Sequence, residues 1–182
     1  MKASASRGIM NIFYSIAKKT PHNRLSKQDE VGLTLMHYAA IYNRTAILTS
    51  LFSSGVDVNI KQQLEYLAVG PMPLHYATRC CSLDATSFFL CNFANISYAD
   101  NYGWMPIHHA AFVDNVPGIK LILRRQREVI ELITRNENKW TPILLAASAG
   151  SLQSVKCLMT LGANWTYSDD KGYNLIHIAA HR

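Results

Sequence analysis

The chain has 182 residues, of which 49% are apolar and 16% are charged, a composition typical of a globular protein rather than a disordered one. It holds no run of 18 or more apolar residues, so the sequence gives no sign of a membrane span. Its formal net charge of +6 comes from residues 1–28, because the basic and acidic residues balance in 29–182, which argues against a body built to bind nucleic acid.

Residues 1–28 form a basic segment without a single acidic residue. Apolar side chains at helical spacing predict a capping helix at about 9–19 that docks on the residues after it; they are Ile9, Ile12, Phe13 and Ile16. A mitochondrial transit peptide is an alternative, since such peptides are basic, amphipathic and poor in acid. A secretory signal is the weaker alternative, because polar residues interrupt its apolar core.

A seven-residue phrase recurs five times along the rest of the chain. Its copies begin at Thr34, Met72, Met105, Thr141 and Asn174, with steps of 38, 33, 36 and 33 residues. A period near 33 predicts stacked units that share one continuous core. The predicted units are 29–66, 67–99, 100–135, 136–168 and a truncated 169–182.

The phrase resembles the T-P-L-H-x-A signature of ankyrin repeats. An Asp-x-x-Gly turn precedes it in three copies, and endings similar to G-A-D-V-N begin at Gly55 and Gly162. The resemblance covers residues 29–182. It implies an all-α solenoid of helix-turn-helix units with short β-hairpin loops. Within the family, the chain looks similar to the ankyrin portion of the class that joins ankyrin and armadillo repeats.

Individual residues give the pattern a physical basis and mark its departures. Proline at the second position of the phrase suits the first turn of a helix. We expect Pro117 to start a second helix, and Lys139 stands where glycine would be expected. Extra residues predict a longer finger at 62–66 and an extended helix or loop near 127–132. Copy five stops inside its first helix, which suggests a fragment or isoform of a longer protein.

The four cysteines do not form a C-x-x-C pair, so we expect reduced thiols in an intracellular, cytoplasmic protein, with a nuclear or mitochondrial location as alternatives. The histidine at the fourth position of the phrase recurs on successive repeats, which predicts a hydrogen bond to the turn rather than a metal site. We expect the adjacent Asp169 and Asp170 to be solvated turn residues. With no catalytic motif present, we predict no catalytic residue, metal or cofactor. Arg124, Arg125 and Arg127 predict a solvated helix end, with an anion contact as the alternative.

In the ankyrin family, partners usually contact the loop tips and the inner face of the first helices. The matching positions predict a partner-binding strip on the concave face: Tyr42, Arg79, Tyr102, Trp104, Phe112, Trp140 and Tyr173. The alternative is that Trp104 and Trp140 stack on each other and stiffen the loops. The sequence therefore predicts a non-enzymatic, monomeric protein-binding module or scaffold. A regulatory docking fragment of a larger armadillo-repeat protein, ligase adaptor or channel is the alternative.

Overall fold

A computed structural model describes residues 22–63 and 70–181. The capping helix expected at about 9–19 and most of the finger expected at 62–66 lie outside these residues. A short helix, His22–Leu25, precedes the first repeat, and the Leu25 side chain packs into the core.

The repeats form two layers of short helices. The first helices of the five repeats are Leu35–Ile41, Pro73–Arg79, Pro106–Phe112, Pro142–Ala149 and Leu175–Ala180. The second helices of the first four are Thr45–Ser53, Leu83–Cys91, Val116–Arg125 and Leu152–Thr160. Each first helix packs on the next first helix, and each second helix on the next second helix. This is the all-α solenoid that the repeats predict; the repeat boundaries themselves stay a prediction.

Small and large apolar residues divide the packing between the two layers. Paired alanines such as Ala110 and Ala111 are fully buried and let neighbouring first helices approach closely. The second helices contribute bulkier core residues, among them Leu48, Phe89 and Ile122. Most of the buried apolar side chains join one cluster that runs from Leu25 to Ala163. No single repeat could bury such a face alone, so the stack supplies the core.

The loops before the first helices are tight, hairpin-shaped turns. Asp100 Oδ1 accepts hydrogen bonds from the backbone N–H groups of Tyr102 and Trp104, both at 2.9 Å. Gly103 has a φ of 75°, and a Cβ there would lie 2.6 Å from the backbone N of Asn136. Within residues 22–63 and 70–181, these loops contain turns but no paired β-strands. Lys139 takes the left-handed place of the turn glycine with a φ of 48°.

Two irregular segments follow the sequence interpretation. Pro117 lies in the first turn of the helix Val116–Arg125. The extra residues near 127–132 form a separate 3-10 helix, Arg127–Glu131, after the extended backbone of Gln126 ends the α-helix. Across the described residues, no helix combines the length and the apolar character needed to cross a membrane.

Candidate partner-binding surface

Three of the four histidines of the repeated phrase are buried and use both ring nitrogens in hydrogen bonds. In repeat three, His108 Nδ1 accepts from the backbone N–H of Met105 at 3.2 Å, and Nε2 donates to the Leu132 carbonyl at 3.0 Å. His37 and His75 make the same pair of bonds, to the start of their own helix and to a carbonyl further along the chain. The bond to the helix start confirms the structural interpretation of these histidines.

Burial keeps these imidazoles neutral. Desolvation lowers the pKa of His37, His75 and His108 from the usual 6.5 to about 4 in each case. Within the part of the chain that the structure describes, His, Cys, Asp and Glu side chains form no group of three or more that could hold a metal ion.

Three of the seven predicted partner-binding residues form one aromatic group, here called the aromatic strip: Tyr102, Trp104 and Phe112. The Trp104 ring centroid lies 5.2 Å from that of Phe112 and 6.3 Å from that of Tyr102. Tyr102 and Phe112 remain 60% and 42% exposed. The strip therefore offers aromatic surface that the fold leaves uncovered.

A buried hydrogen bond between His109 and Asp100 supports the aromatic strip from below. His109 Nε2 lies 2.7 Å from Asp100 Oδ2, and the Trp104 ring packs on the His109 imidazole with centroids 5.2 Å apart. Burial of Asp100 favours its neutral form, but the hydrogen bonds from His109 and from the Trp104 backbone, together with favourable charge interactions, outweigh burial and hold the pKa of the carboxyl below its usual range. Asp100 thus fixes both the turn that carries Tyr102 and Trp104 and the imidazole beneath them.

Arg79 borders a hollow beside the strip. The hollow measures about 190 Å³, and Tyr76, Asn101 and Tyr102 also line it. The Arg79 side chain is exposed. The Asn101 Oδ1 atom is buried and accepts no hydrogen bond within the described structure. This hollow places a cation and a hydrogen-bond acceptor next to the aromatic strip.

Trp140 and Tyr173 lie on a separate hollow of about 260 Å³ between repeats four and five. Trp140 Nε1 donates to Asp169 Oδ2 at 2.9 Å. Asp169 is only 8% exposed, so the expectation that it is solvated was wrong: its carboxylate anchors the turn and the indole. Asp170 is exposed, and it pairs with Lys139.

Tyr42 lies apart from the other predicted partner-binding residues, and the two tryptophans Trp104 and Trp140 pack separately. Tyr42 ends the first helix of repeat one and is 64% exposed, and it lines neither hollow. The alternative in which Trp104 and Trp140 stack on each other does not describe the structure, because Trp104 packs on Phe112 and His109 while Trp140 bonds to Asp169.

Phe93 and Trp165 are exposed aromatic residues that the sequence interpretation did not single out. Phe93 follows the second helix of repeat two and is 80% exposed. The signal was available, because Phe93-Ala-Asn aligns with Gly162-Ala-Asn and puts a large aromatic residue in a glycine position.

Comparisons with known proteins agree with the repeat pattern. A model described as ankyrin repeats in three copies matches residues 36–132, and a single ankyrin repeat matches residues 138–170. The chain is 38% identical over 179 residues to the ankyrin and armadillo repeat-containing protein of Homo sapiens, covering 98% of this chain and 12% of that protein. The Mus musculus protein of that name is 36% identical, with 98% of this chain and 13% of that protein covered. The human neurogenic locus notch homolog protein 2 is 33% identical over 74% of this chain and 5% of its own length.

Proposed function

This chain belongs to the ankyrin-repeat family, and from that premise we propose that it is a non-enzymatic module that binds another protein through the aromatic strip. The observation that carries the proposal is the uncovered aromatic surface of Tyr102, Trp104 and Phe112. Large aromatic side chains are enriched among the residues that dominate binding energy at interfaces.

Rigidity of the strip favours this role. The turn is held by Asp100, and Trp104 rests on the buried His109. Side chains that are already fixed lose little conformational entropy when a partner arrives, so more of the contact energy appears as affinity. The mechanism is surface complementarity, with no chemical step.

The neighbouring hollow adds polar specificity. Arg79 offers charge to a partner carboxylate. A partner segment with an apolar side chain beside an acidic one fits this arrangement.

A larger protein is the second candidate context. The chain spans 12% to 13% of the length of the ankyrin and armadillo repeat-containing proteins that it matches over 98% of its own length. In that context the stack acts as a docking arm, and the aromatic strip remains its contact surface. A cytoplasmic location belongs to the same proposal and rests on the four unpaired thiols.

The test is affinity capture from cell lysate with the Trp104→Ala/Phe112→Ala variant. We expect loss of the partner at unchanged helicity, because truncating central aromatic anchors costs about 2 kcal/mol or more, or about 30-fold in affinity. The matched control is Phe52→Ala/Leu152→Ala, which removes exposed apolar side chains from the second helices. A folded strip variant that still captures the partner would contradict the proposal.

A variant at more exposed positions guards against damage to the fold. Arg79→Ala/Tyr102→Ala removes two exposed side chains from the hollow and the strip. It should lose the same partner while unfolding in urea at the same midpoint as the wild type. Retention of the partner by both strip variants moves the site elsewhere on the chain.

A further inference from the structure

Phe93 occupies a backbone position that glycine fills in two sister repeats. Its φ is 60°, and the matching Gly55 and Gly162 have φ values of 81° and 88°. The same backbone hydrogen bond closes all three helix ends. Its donor and acceptor are the N–H of Ala94 and the carbonyl of Phe89, and likewise Val56 and Leu51, and Ala163 and Leu158. The three positions are therefore structurally equivalent.

The fold gives no reason for a phenylalanine at this position. A left-handed conformation is unfavourable for a residue with a bulky side chain and is free of that penalty for glycine. The Phe93 side chain gains little burial in return, because 80% of it is exposed. Strain that persists without a structural return is evidence for a function.

Two adjoining hollows flank the Phe93 ring on the second-helix side of the stack. They measure about 490 and 330 Å³, and Leu90, Phe93 and Arg125 line both of them. Leu121 lines the larger hollow, and Ile96 the smaller. Together these residues form a groove between repeats two and three, here called the Phe93 groove, and its larger hollow is mainly apolar.

The border of the groove is cationic. Arg124 and Arg125 end the helix Val116–Arg125, and the Arg125 guanidinium lies 5.8 Å from the Phe93 ring centroid. Neither arginine forms an ion pair with any residue in 22–63 or 70–181. Cations in a last helical turn also offset the helix dipole, so the charge alone does not indicate a ligand. The strained, exposed Phe93 beside it is the independent observation.

We propose that the Phe93 groove is a second docking surface, which binds an acidic peptide segment of another protein. An apolar side chain of the segment packs against Phe93, Leu90 and Leu121, and neighbouring carboxylates pair with Arg124 and Arg125. Carboxylates match the guanidinium fork and would supply the counter-charge that the fold does not. This surface lies on second helices, whereas the aromatic strip belongs to a loop and a first helix, so the inference goes beyond the proposed function.

The test is selection of a random displayed-peptide library on the full chain, with counter-selection on Phe93→Gly. Phe93→Gly is a sharp control, because it restores the residue that the backbone prefers and should unfold at an equal or higher urea concentration than the wild type. We expect enriched peptides that combine Asp or Glu with a large apolar residue. Their affinity should fall about 30-fold on Phe93→Gly, as for a central aromatic anchor.

Two further measurements separate the alternatives. Arg124→Gln/Arg125→Gln should weaken the selected peptides and reduce the salt dependence of their binding. Trp104→Ala/Phe112→Ala should leave their affinity unchanged. Peptides without acidic residues, peptides that bind Phe93→Gly equally well, or the absence of enrichment would overturn the proposal. So would Phe93-dependent binding to phosphatidylserine vesicles in place of any peptide, which would identify a membrane contact.

Discussion

Acidification from about pH 7 to about pH 5 should destabilise the stack through its buried histidines. The neutral His108 ring accepts a backbone N–H at Nδ1 and donates a hydrogen bond at Nε2. A proton on Nδ1 would replace that acceptor with a donor facing another N–H group. The unfolded chain takes up this proton near the ordinary pKa of about 6.5, and the folded chain does so only near 4. The stability contribution is therefore complete above the unfolded pKa and is lost as the pH falls toward the folded pKa.

The magnitude follows from the difference between the two pKa values. For a pKa near 6.5 in the unfolded chain and about 4 in the fold, the free energy of unfolding falls by about 2 kcal/mol between pH 7 and pH 5. His37 and His75 have the same lowered value, so the three together account for about 5 kcal/mol. That loss is comparable to the whole stability of many small domains.

Urea unfolding followed by far-ultraviolet circular dichroism, at several pH values in this interval, measures the effect. The control is His108→Gln, whose amide still donates and accepts hydrogen bonds but does not titrate. We expect it to reduce the pH dependence by about one third, whatever it does to stability near neutral pH. An unfolding free energy that is flat between pH 7 and pH 5, or a pH dependence unchanged in His108→Gln, would refute the reasoning.

Two further predictions concern the turns. In urea unfolding, Gly103→Ala should destabilise the stack far more than Gly172→Ala. Both glycines have positive φ, but of the two only Gly103 would bring the new Cβ against backbone, 2.6 Å from Asn136 N. Gly172→Ala should therefore cost only the left-handed penalty of about 1 kcal/mol. Asn115→Ala should lower the free energy of unfolding by about 2–4 kcal/mol, because this buried residue caps a helix by accepting from Gly118 N–H and donates to the Thr78 carbonyl at 2.8 Å. An Asn115→Ser variant, which keeps only the cap, should recover part of that loss. Equal stability of the two variants would contradict the role given to the cap.

The sequence predicted what a repeat determines locally. Prolines at the second position of the phrase mark where three first helices begin, at Pro73, Pro106 and Pro142. The helix-start role of the phrase histidines and the left-handed Lys139 were also within reach, because each depends on residues close in sequence.

What the sequence missed depends on contacts between repeats or on comparing positions across them. Asp169 is buried because the pitch of the stack brings it under the Trp140 indole, 29 residues away. The contact between Asp100 and His109 has a counterpart in repeat one, where Tyr38 donates to Asp29. The sequence carried this signal as the same nine-residue spacing in both repeats. The prediction that Tyr42 belongs to the binding strip remains untested, and its place apart from both hollows follows from its position in the first repeat.

The hydrogen bonds from the buried imidazoles to carbonyls further along the chain also contribute to how the stack would respond to force. His37, His75 and His108 each bond a first helix to a carbonyl in the segment that leads to the next first helix, at Pro71, Tyr98 and Leu132, so a load along the stack would act on these bonds one after another. In repeat four the equivalent residue is Leu144, whose side chain cannot form a hydrogen bond. Repeats four and five are joined instead by the hydrogen bond from Trp140 Nε1 to Asp169 Oδ2 and by the ion pair between Lys139 and Asp170. Under such a load, this junction would depend on an indole–carboxylate bond and an exposed ion pair rather than on a buried imidazole.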